Sequence, residues 1–244
     1  MSQRLDIALV ERGLAPTRAR ARDAILRGHV TVDGTLAAKP ALTVDADATI
    51  LMDDPAAGYV SRGALKLIAA LDRFRYSPQG RAALDLGAST GGFTQVLLER
   101  GARKVFAVDV GHGQLDPGLA VDPRVISREG LNARDLSAGD LGETVGAIVA
   151  DVSFISLKLV LPPALALAGP DAWGVFLVKP QFEVGRDAIG KGGIVRDAHA
   201  GECAAADIAQ WLERELGWRV GGVILSPIEG GDGNREFLVG ADRG

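Results

Sequence analysis

The stretch that most limits what this chain can fold into covers residues 82–109. A short apolar run, 82–86, has the length and composition of a buried strand. It opens into a loop holding Gly87, Gly91 and Gly92, after which Phe93, Val96, Leu97 and Leu98 recur on a helical period. A second apolar run, 105–108, ends on Asp109. Strand, glycine turn, helix, strand and acid form the opening of a nucleotide-binding parallel sheet. Gly87 permits the tight turn, and Gly91 and Gly92 are expected to let backbone approach a ligand closely. Asp109 stands 22 residues beyond Gly87, where a carboxylate can accept ribose hydroxyls. The loop lacks the G-x-G-x-x-G of dinucleotide enzymes. Its G-x-S-x-G-G form suits a ligand without a pyrophosphate, such as S-adenosylmethionine. An ordinary structural turn is the competing reading, and the acid that ends the second strand weighs against it.

The 244 residues suffice for one large domain or two small ones. A net charge of -4 excludes a uniformly basic nucleic-acid binder, so any nucleic-acid surface is local. The single cysteine, Cys203, excludes an internal disulfide and a cysteine-based zinc site. His29, His112 and His199 have no metal-ligand spacing. The N-terminus lacks the apolar core of a signal peptide. The most apolar stretch, 157–168, is too short to span a bilayer and contains Lys158 and two prolines. These features read as a reduced, cytoplasmic protein with no membrane partner.

The N-terminal part carries its own signals. Leu5, Ala8 and Leu9 lie at helical spacing from residue 3, and Gly13 ends that helix. Thr17 caps a second helix over 18–27, stopped by Gly28. Residues 30–32 alternate like a strand, Asp33-Gly34 is a hairpin signal, 35–37 pairs back, and 49–52 adds a further strand. Between residues 12 and 28, Arg12, Arg18, Arg20, Arg22 and Arg27 stand against Asp23 alone. Arg18 and Arg22 share a helix face, and arginine forks suit phosphate. A solvated helix face has the same appearance. Residues 1–62 hold eight basic and eight acidic side chains, so the case rests on clustering.

The run T-R-A-R-A-R-D-A-I-L-R-G-H-V-T-V-D-G (17–34) resembles the alpha-L RNA-binding motif, the ribosomal S-four-like domain. The resemblance implies a small α+β RNA-binding domain over about residues 3–55, with Arg4, Arg18, Arg20, Arg22 and Arg27 as RNA contacts and Arg62 just beyond it. Residues 53–58 (DDPAAG) read as a linker, giving domains at 1–57 and 58–244.

In the second domain, 64–74 reads as a helix with Leu65, Ile68 and Leu71 apolar and Lys66 facing elsewhere. An apolar run over 145–150 precedes Asp151, and another over 174–178 precedes Lys179-Pro180. Helices are expected over 156–168 and 200–216, glycine-rich loops over 185–193 and 226–234, and strands over 220–225 and 236–239, the last antiparallel. Alternating strands and helices imply an α/β fold, a Rossmann-like, mostly parallel sheet with helices on both faces. Ligands of such sheets bind outside the carboxyl ends of the strands. Asp109, Asp151 and Lys179 therefore converge on the edge that carries the glycine loop, and Gly111-His112-Gly113-Gln114 borders a nucleoside there. Any one of them alone reads as a strand-end charge in solvent.

Six segments, S-R-G-A-L-K-L (61–67), D-L-G-A-S-T-G-G-F-T (85–94), V-D-V-G-H-G-Q-L (108–115), A-D-V-S-F-I-S-L (150–157), V-K-P-Q-F-E-V-G (178–185) and G-N-R-E-F (233–237), together resemble the TlyA family. Its members are S-adenosylmethionine-dependent ribosomal RNA 2′-O-methyltransferases, some named hemolysins, with a catalytic domain of the FtsJ (RrmJ) type. The resemblance implies a catalytic tetrad of Lys66, Asp151, Lys179 and Glu236. Lys179 would activate the 2′-hydroxyl, Lys66 and Asp151 would position and polarise, and Glu236 would orient a lysine; Glu229 is the competing assignment. The cofactor set would be Gly87, Ala88, Ser89, Gly91, Gly92, Phe93, Asp109, Val110, Asn132 and Asp151. A lysine serves as the base if its pKa falls from about 10.4 toward neutrality, through burial or a second lysine. A second cation stabilises the developing alkoxide.

Two departures matter. The family linker often carries Arg and Trp ahead of V-S-R-G, whereas this chain has Ala57-Gly58-Tyr59-Val60, keeping an aromatic and losing the arginine. The sequence also ends soon after Glu236, at Gly244, which by family pattern implies 23S rRNA as the surer substrate and leaves 16S open. The alternatives are a base N-methyltransferase, a non-catalytic ribosome-assembly factor and a membrane-active hemolysin. Asp151-Val152-Ser153-Phe154 lacks both prolines of the base-methylating loop, and the chain offers no strongly amphipathic cationic helix for a bilayer.

Overall fold

The computed structural model describes residues 2–244, and the chain divides into two compact units, Met1–Gly58 and Tyr59–Gly244. The first unit runs β1 (Gln3–Arg4), α1 (Leu5–Glu11), α2 (Arg18–Leu26), β2 (Val30–Val32), β3 (Thr35–Leu36), β4 (Thr43–Val44) and β5 (Ile50–Met52). Thr17 Oγ1 accepts from Arg20 N at 3.2 Å, satisfying one of the first-turn amides of α2. Leu5, Ala8 and Leu9 pack against Ala21, Ala24, Ile25 and Val30 in a small core. Asp33 and Gly34, at φ 49° and 77°, supply the left-handed pair that closes the β2–β3 hairpin. The sequence reading places residues 3–4 in the first helix; they pair antiparallel with β4 instead. A two-residue strand is too short to leave a period in the sequence.

One buried charge organises this unit. Asp6 is fully buried at the start of α1. It accepts both forks of Arg4 at 3.0 Å and Arg18 Nη2 at 3.0 Å. The remaining arginines divide by partner. Arg12 donates to the carbonyls of Asp45, Ala46 and Ala48. Arg20 donates to Ala56 O at 2.5 Å. Arg27, 13% exposed, holds Asp23 at 2.9 Å and Asp54 at 2.6 Å. Arg22 is exposed on α2.

The second unit begins with α3 (Ala64–Phe74), β6 (Ala82–Leu86), α4 (Gly92–Glu99), β7 (Lys104–Asp109), α5 (Pro117–Ala120) and β8 (Val125–Glu129). It continues through α6 (Ala138–Leu141), β9 (Val145–Ala150), α7 (Leu157–Ala166), β10 (Ala168–Val178), α8 (Pro180–Glu183), α9 (Ala198–Leu216), β11 (Arg219–Leu225) and β12 (Phe237–Asp242). Among the described residues these strands form one seven-stranded sheet, ordered β11-β12-β10-β9-β6-β7-β8. β6 to β10 are parallel, and β12 runs antiparallel between β10 and β11. The sheet matches the expected Rossmann-like architecture, with β8 an additional edge strand whose exposed second half hid it from an apolar-run reading.

Side chains in the middle of the sheet alternate between its two faces, as the two-residue strand period demands. Leu84, Leu86, Phe106, Val108, Ile148 and Phe176 face α7 and α9. Ala83, Val105, Ala107, Ala147, Val149 and Leu177 face α3 and α4. On α3 the structure corrects the sequence reading: the buried face is Ala64, Leu67, Ala70 and Leu71, and Lys66 is buried with it. No helix among the described residues is long and apolar enough to cross a membrane, and no cluster of His, Cys, Asp or Glu among them could hold a metal ion.

The Arg4 guanidinium, seconded by Arg18, holds the Asp6 carboxyl well below the usual carboxylate range. A depressed folded-state pKa stabilises the fold above the unfolded value of about 3.9 and loses that stabilisation as pH falls below it. Asp6→Asn is expected to lower the melting temperature at pH 7 and to flatten its decline below about pH 4, measured by thermal melts of the full chain across pH.

Candidate active site

The carboxyl edge of the sheet gathers the candidate residues. β7 ends on Asp109, β9 ends one residue before Asp151, and β10 ends one residue before Lys179. Because β12 is antiparallel, with Phe237 opposite Val178, Glu236 enters at this same edge from the opposite chain direction. α3 delivers Lys66 from its first turn. Two cavities result. The smaller, about 270 Å³, is lined by Lys66, Asp151, Lys179 and Glu236 together with Ser61, Arg62, Gly63, Ala88, Gly92 and Phe93. The larger, about 400 Å³, is lined by Asp109, Val110, Gln114, Asn132, Val152, Phe154 and Ile155 among others. Gly87, Ser89, Asp151 and Ser153 line both.

The four tetrad candidates pair two by two. Lys66 Nζ donates to Glu236 Oε2 at 2.5 Å, and both side chains are less than a tenth exposed. Lys179 Nζ lies 2.6 Å from Asp151 Oδ1 and donates to Ser153 Oγ at 2.7 Å. Glu229 is exposed and lines neither cavity, so geometry favours Glu236 over it. The four side chains thus present two cations, each with its own carboxylate, to one small space.

The glycine loop is built for contact with protein as much as with ligand. Gly87 has φ 78°, and a Cβ there would stand 2.5 Å from Asp151 O. Gly91 and Gly92 differ from the sequence reading. A Cβ at Gly91 would meet the Leu119 and Leu115 side chains, and one at Gly92 would meet Ser61 Oγ. Close packing against their own chain, rather than ligand approach, requires glycine at these two positions. Gly91 lines neither cavity; Ala88, Gly92 and Phe93 line only the smaller one. Of the 111–114 run, Gln114 lines the larger cavity. The larger cavity fits S-adenosylmethionine by the chemistry of its walls. Asp109 accepts Ser89 N at 2.8 Å on one oxygen and Gly111 N at 2.7 Å on the other, which fixes its carboxylate in the wall. Apolar Val110, Leu131, Ile155 and Val160 line the remainder.

Sequence reasoning missed several neighbours. Asp85, the charged residue inside the 82–86 run, is fully buried beneath the loop and accepts Thr94 Oγ1 at 2.7 Å. Burial pushes its carboxyl up to about 7 against that hydrogen bond. Asn234 is buried and clips the two glycine-rich loops together, accepting Val195 N at 2.9 Å and donating to Gly193 O at 3.0 Å. Phe154 has a left-handed backbone, φ 65°, and a side chain 90% exposed, its ring 5.2 Å from that of Phe182. The charge within an apolar strand was the one readable signal among them.

Known proteins resemble this chain in both parts. The FtsJ-like methyltransferase family matches residues 59–243, and the S4 domain matches residues 3–50. The Mycobacterium tuberculosis 16S/23S rRNA (cytidine-2′-O)-methyltransferase TlyA is 48% identical over 97% of this chain and 88% of its own. The Campylobacter jejuni 23S rRNA (cytidine-2′-O)-methyltransferase TlyA is 38% identical over 74% of this chain and 69% of its own. A structure provisionally described as a hemolysin from Streptococcus thermophilus superposes with TM-score 0.77 at 39% identity, covering 99% of this chain and 88% of that one.

Removing one partner of a buried ion pair leaves an uncompensated charge, whereas removing both does not. Glu236→Ala is expected to destabilise the chain by about 3–5 kcal/mol, and a Lys66→Met, Glu236→Leu double variant to recover most of the loss, read from urea unfolding midpoints.

Proposed function

The chain belongs to the TlyA family of FtsJ-like methyltransferases, and from that premise we propose that it transfers a methyl group from S-adenosylmethionine to a cytidine 2′-hydroxyl of ribosomal RNA. We place it in the cytoplasm, with 23S rRNA as its first substrate; 23S is the RNA common to the names of both TlyA relatives above. The observation that carries this reading is the wall shared by the two cavities. Gly87, Ser89, Asp151 and Ser153 separate a nucleoside-sized space from one ringed by two lysines and two carboxylates.

The larger cavity would hold the cofactor, with Asp109 at the ribose and Val110, Asn132 and Gln114 around the nucleoside. When bound, S-adenosylmethionine supplies an electrophilic methyl whose carbon–sulfur bond breaks onto sulfur as the hydroxyl oxygen forms its new bond. The protein's part is alignment and proton handling. Lys179 accepts the hydroxyl proton, with Asp151 holding its ammonium afterwards. Lys66, paired with Glu236, stabilises the developing alkoxide. Much of the rate comes from holding the reacting atoms in line. Arg62, at the rim of the same cavity, meets the phosphate of the target nucleotide. Phe154 offers a flat exposed face to an unstacked base. On the S4 domain, exposed Arg22 points the RNA-binding role outward, and Arg4 and Arg18 are about half exposed while they pair with buried Asp6; Arg12, Arg20 and Arg27 are engaged internally.

Incubation with labelled S-adenosylmethionine and separated, unmodified 30S and 50S subunits is expected to label 50S RNA. Lys179→Ala should reduce the rate by about 10²-fold or more, the usual worth of a positioned base. Alkali digestion should leave the modified position uncut on its 3′ side; ordinary cleavage there would point to base methylation instead. Binding of SAM without any transfer would point to an assembly factor. For RNA affinity, Arg22→Ala should reduce the slope of log affinity against log salt by about 1. Arg27→Ala should lower the melting temperature and leave that slope unchanged.

A further inference from the structure

The two lysines of the site are held differently. Lys66 faces a carboxylate across a buried 2.5 Å hydrogen bond. Lys179 lies 2.6 Å from Asp151 Oδ1, yet that oxygen sits off the hydrogen-bonding direction and makes no hydrogen bond. The directed hydrogen bond of Lys179 goes to Ser153 Oγ, at 2.7 Å. A carboxylate that makes no directed hydrogen bond fixes where the nitrogen sits and leaves it free to rotate. A hydroxyl acceptor at hydrogen-bond distance fixes the rotation as well.

We propose that Ser153 is the positioning residue of the reaction, setting the direction in which Lys179 meets the substrate hydroxyl. The Lys179 nitrogen has three positions besides its carbon. One lies beside Asp151 as a charge contact without a hydrogen bond, Ser153 accepts from the second, and the third is left toward the cavity that all three residues line. Lys179 enters the step as the amine, with two N–H bonds and its lone pair toward the cavity; as the methyl passes from sulfur to the 2′-oxygen, the O–H bond breaks and its proton forms the third N–H bond on Lys179. The N–H donated to Ser153 stays in place throughout, and Asp151 remains beside the nitrogen as its counter-charge. Without Ser153 the nitrogen keeps its place and loses its aim. This inference rests on the proposed methyl transfer.

Ser153 also lines the cofactor cavity, so a cofactor contact is the rival role, and the test separates the two. Wild type, Lys179→Ala, Ser153→Ala and Ser153→Thr are assayed as full chains on unmodified 50S subunits. Affinity for S-adenosylhomocysteine is measured by calorimetry. Ser153→Ala is expected to lower kcat about 10- to 100-fold, the scale of a lost alignment, with KM for both substrates and S-adenosylhomocysteine affinity within about twofold of wild type. Ser153→Thr, which keeps the hydroxyl, is expected to restore most of kcat. An unchanged kcat, a loss carried by KM or by homocysteine-analogue affinity, or no rescue by threonine would overturn the proposal. A readout independent of activity is the side-chain 1H–15N signal of Lys179, assigned by its absence in Lys179→Ala. It should broaden in Ser153→Ala, and its persistence there would also overturn the proposal. A wild type that transfers no methyl rejects the functional reading, and the spectroscopic arm still decides whether Ser153 holds Lys179.

Discussion

The working edge depends on how closely β6 and β9 leave the sheet together. Asp151 N donates to Leu86 O at 2.9 Å, one residue beyond the last paired position of these strands. That bond brings the Asp151 carbonyl so near Gly87 that no side chain fits between them. The glycine at 87 and the acid at 151 are therefore one constraint. The turn that shapes the nucleoside cavity and the carboxylate that faces Lys179 share a wall because two backbones touch. Every other feature of the site, from the Asp109 clamp to the Lys66–Glu236 pair, is arranged around that seam.

Asp85 lies beneath it. A carboxyl in the middle of a buried strand is costly to ionise, and burial moves its titration to about 7. Asp151 and Asp109 both push in the same direction. Below that pH the edge above carries one negative charge fewer near its lysines. Thr94, in the first turn of α4, donates its hydroxyl to Asp85 and so ties the helix to the strand beneath the loop.

Much of this was legible in the sequence. Apolar runs ending in Asp109, before Asp151 and before Lys179 gave the strands and the edge, because burial on both faces of a parallel strand writes itself as a continuous apolar word. What failed to show was anything decided by a distant partner. Lys66 read as facing away from the apolar side of its helix, because its carboxylate partner lies 170 residues away in the sequence. Gly91 and Gly92 read as ligand contacts, because a sequence cannot say that Leu119 or Ser61 needs the space. The arginines of the S4 domain read as one basic cluster, while the fold divides them by whether an acid or carbonyl of the same unit is within reach. Ser153 and Phe154 carry no periodic signal at all, since a loop outside the sheet owes nothing to the strand repeat.

The antiparallel β12 has a consequence for how the protein is made. A ribosome releases Lys66 long before Glu236, and β12 sits between β10 and β11, inside the sheet rather than at its rim. Until that segment emerges, the nascent chain holds a lysine destined for the interior with no counter-charge and a sheet missing an inner strand. Contacts of such sequence separation are the slow ones to form. Completion of the Lys66–Glu236 pair and closure of the sheet are thus a single late event in biosynthesis, and a chain cut short before β12 lacks the means to bury what it has already made.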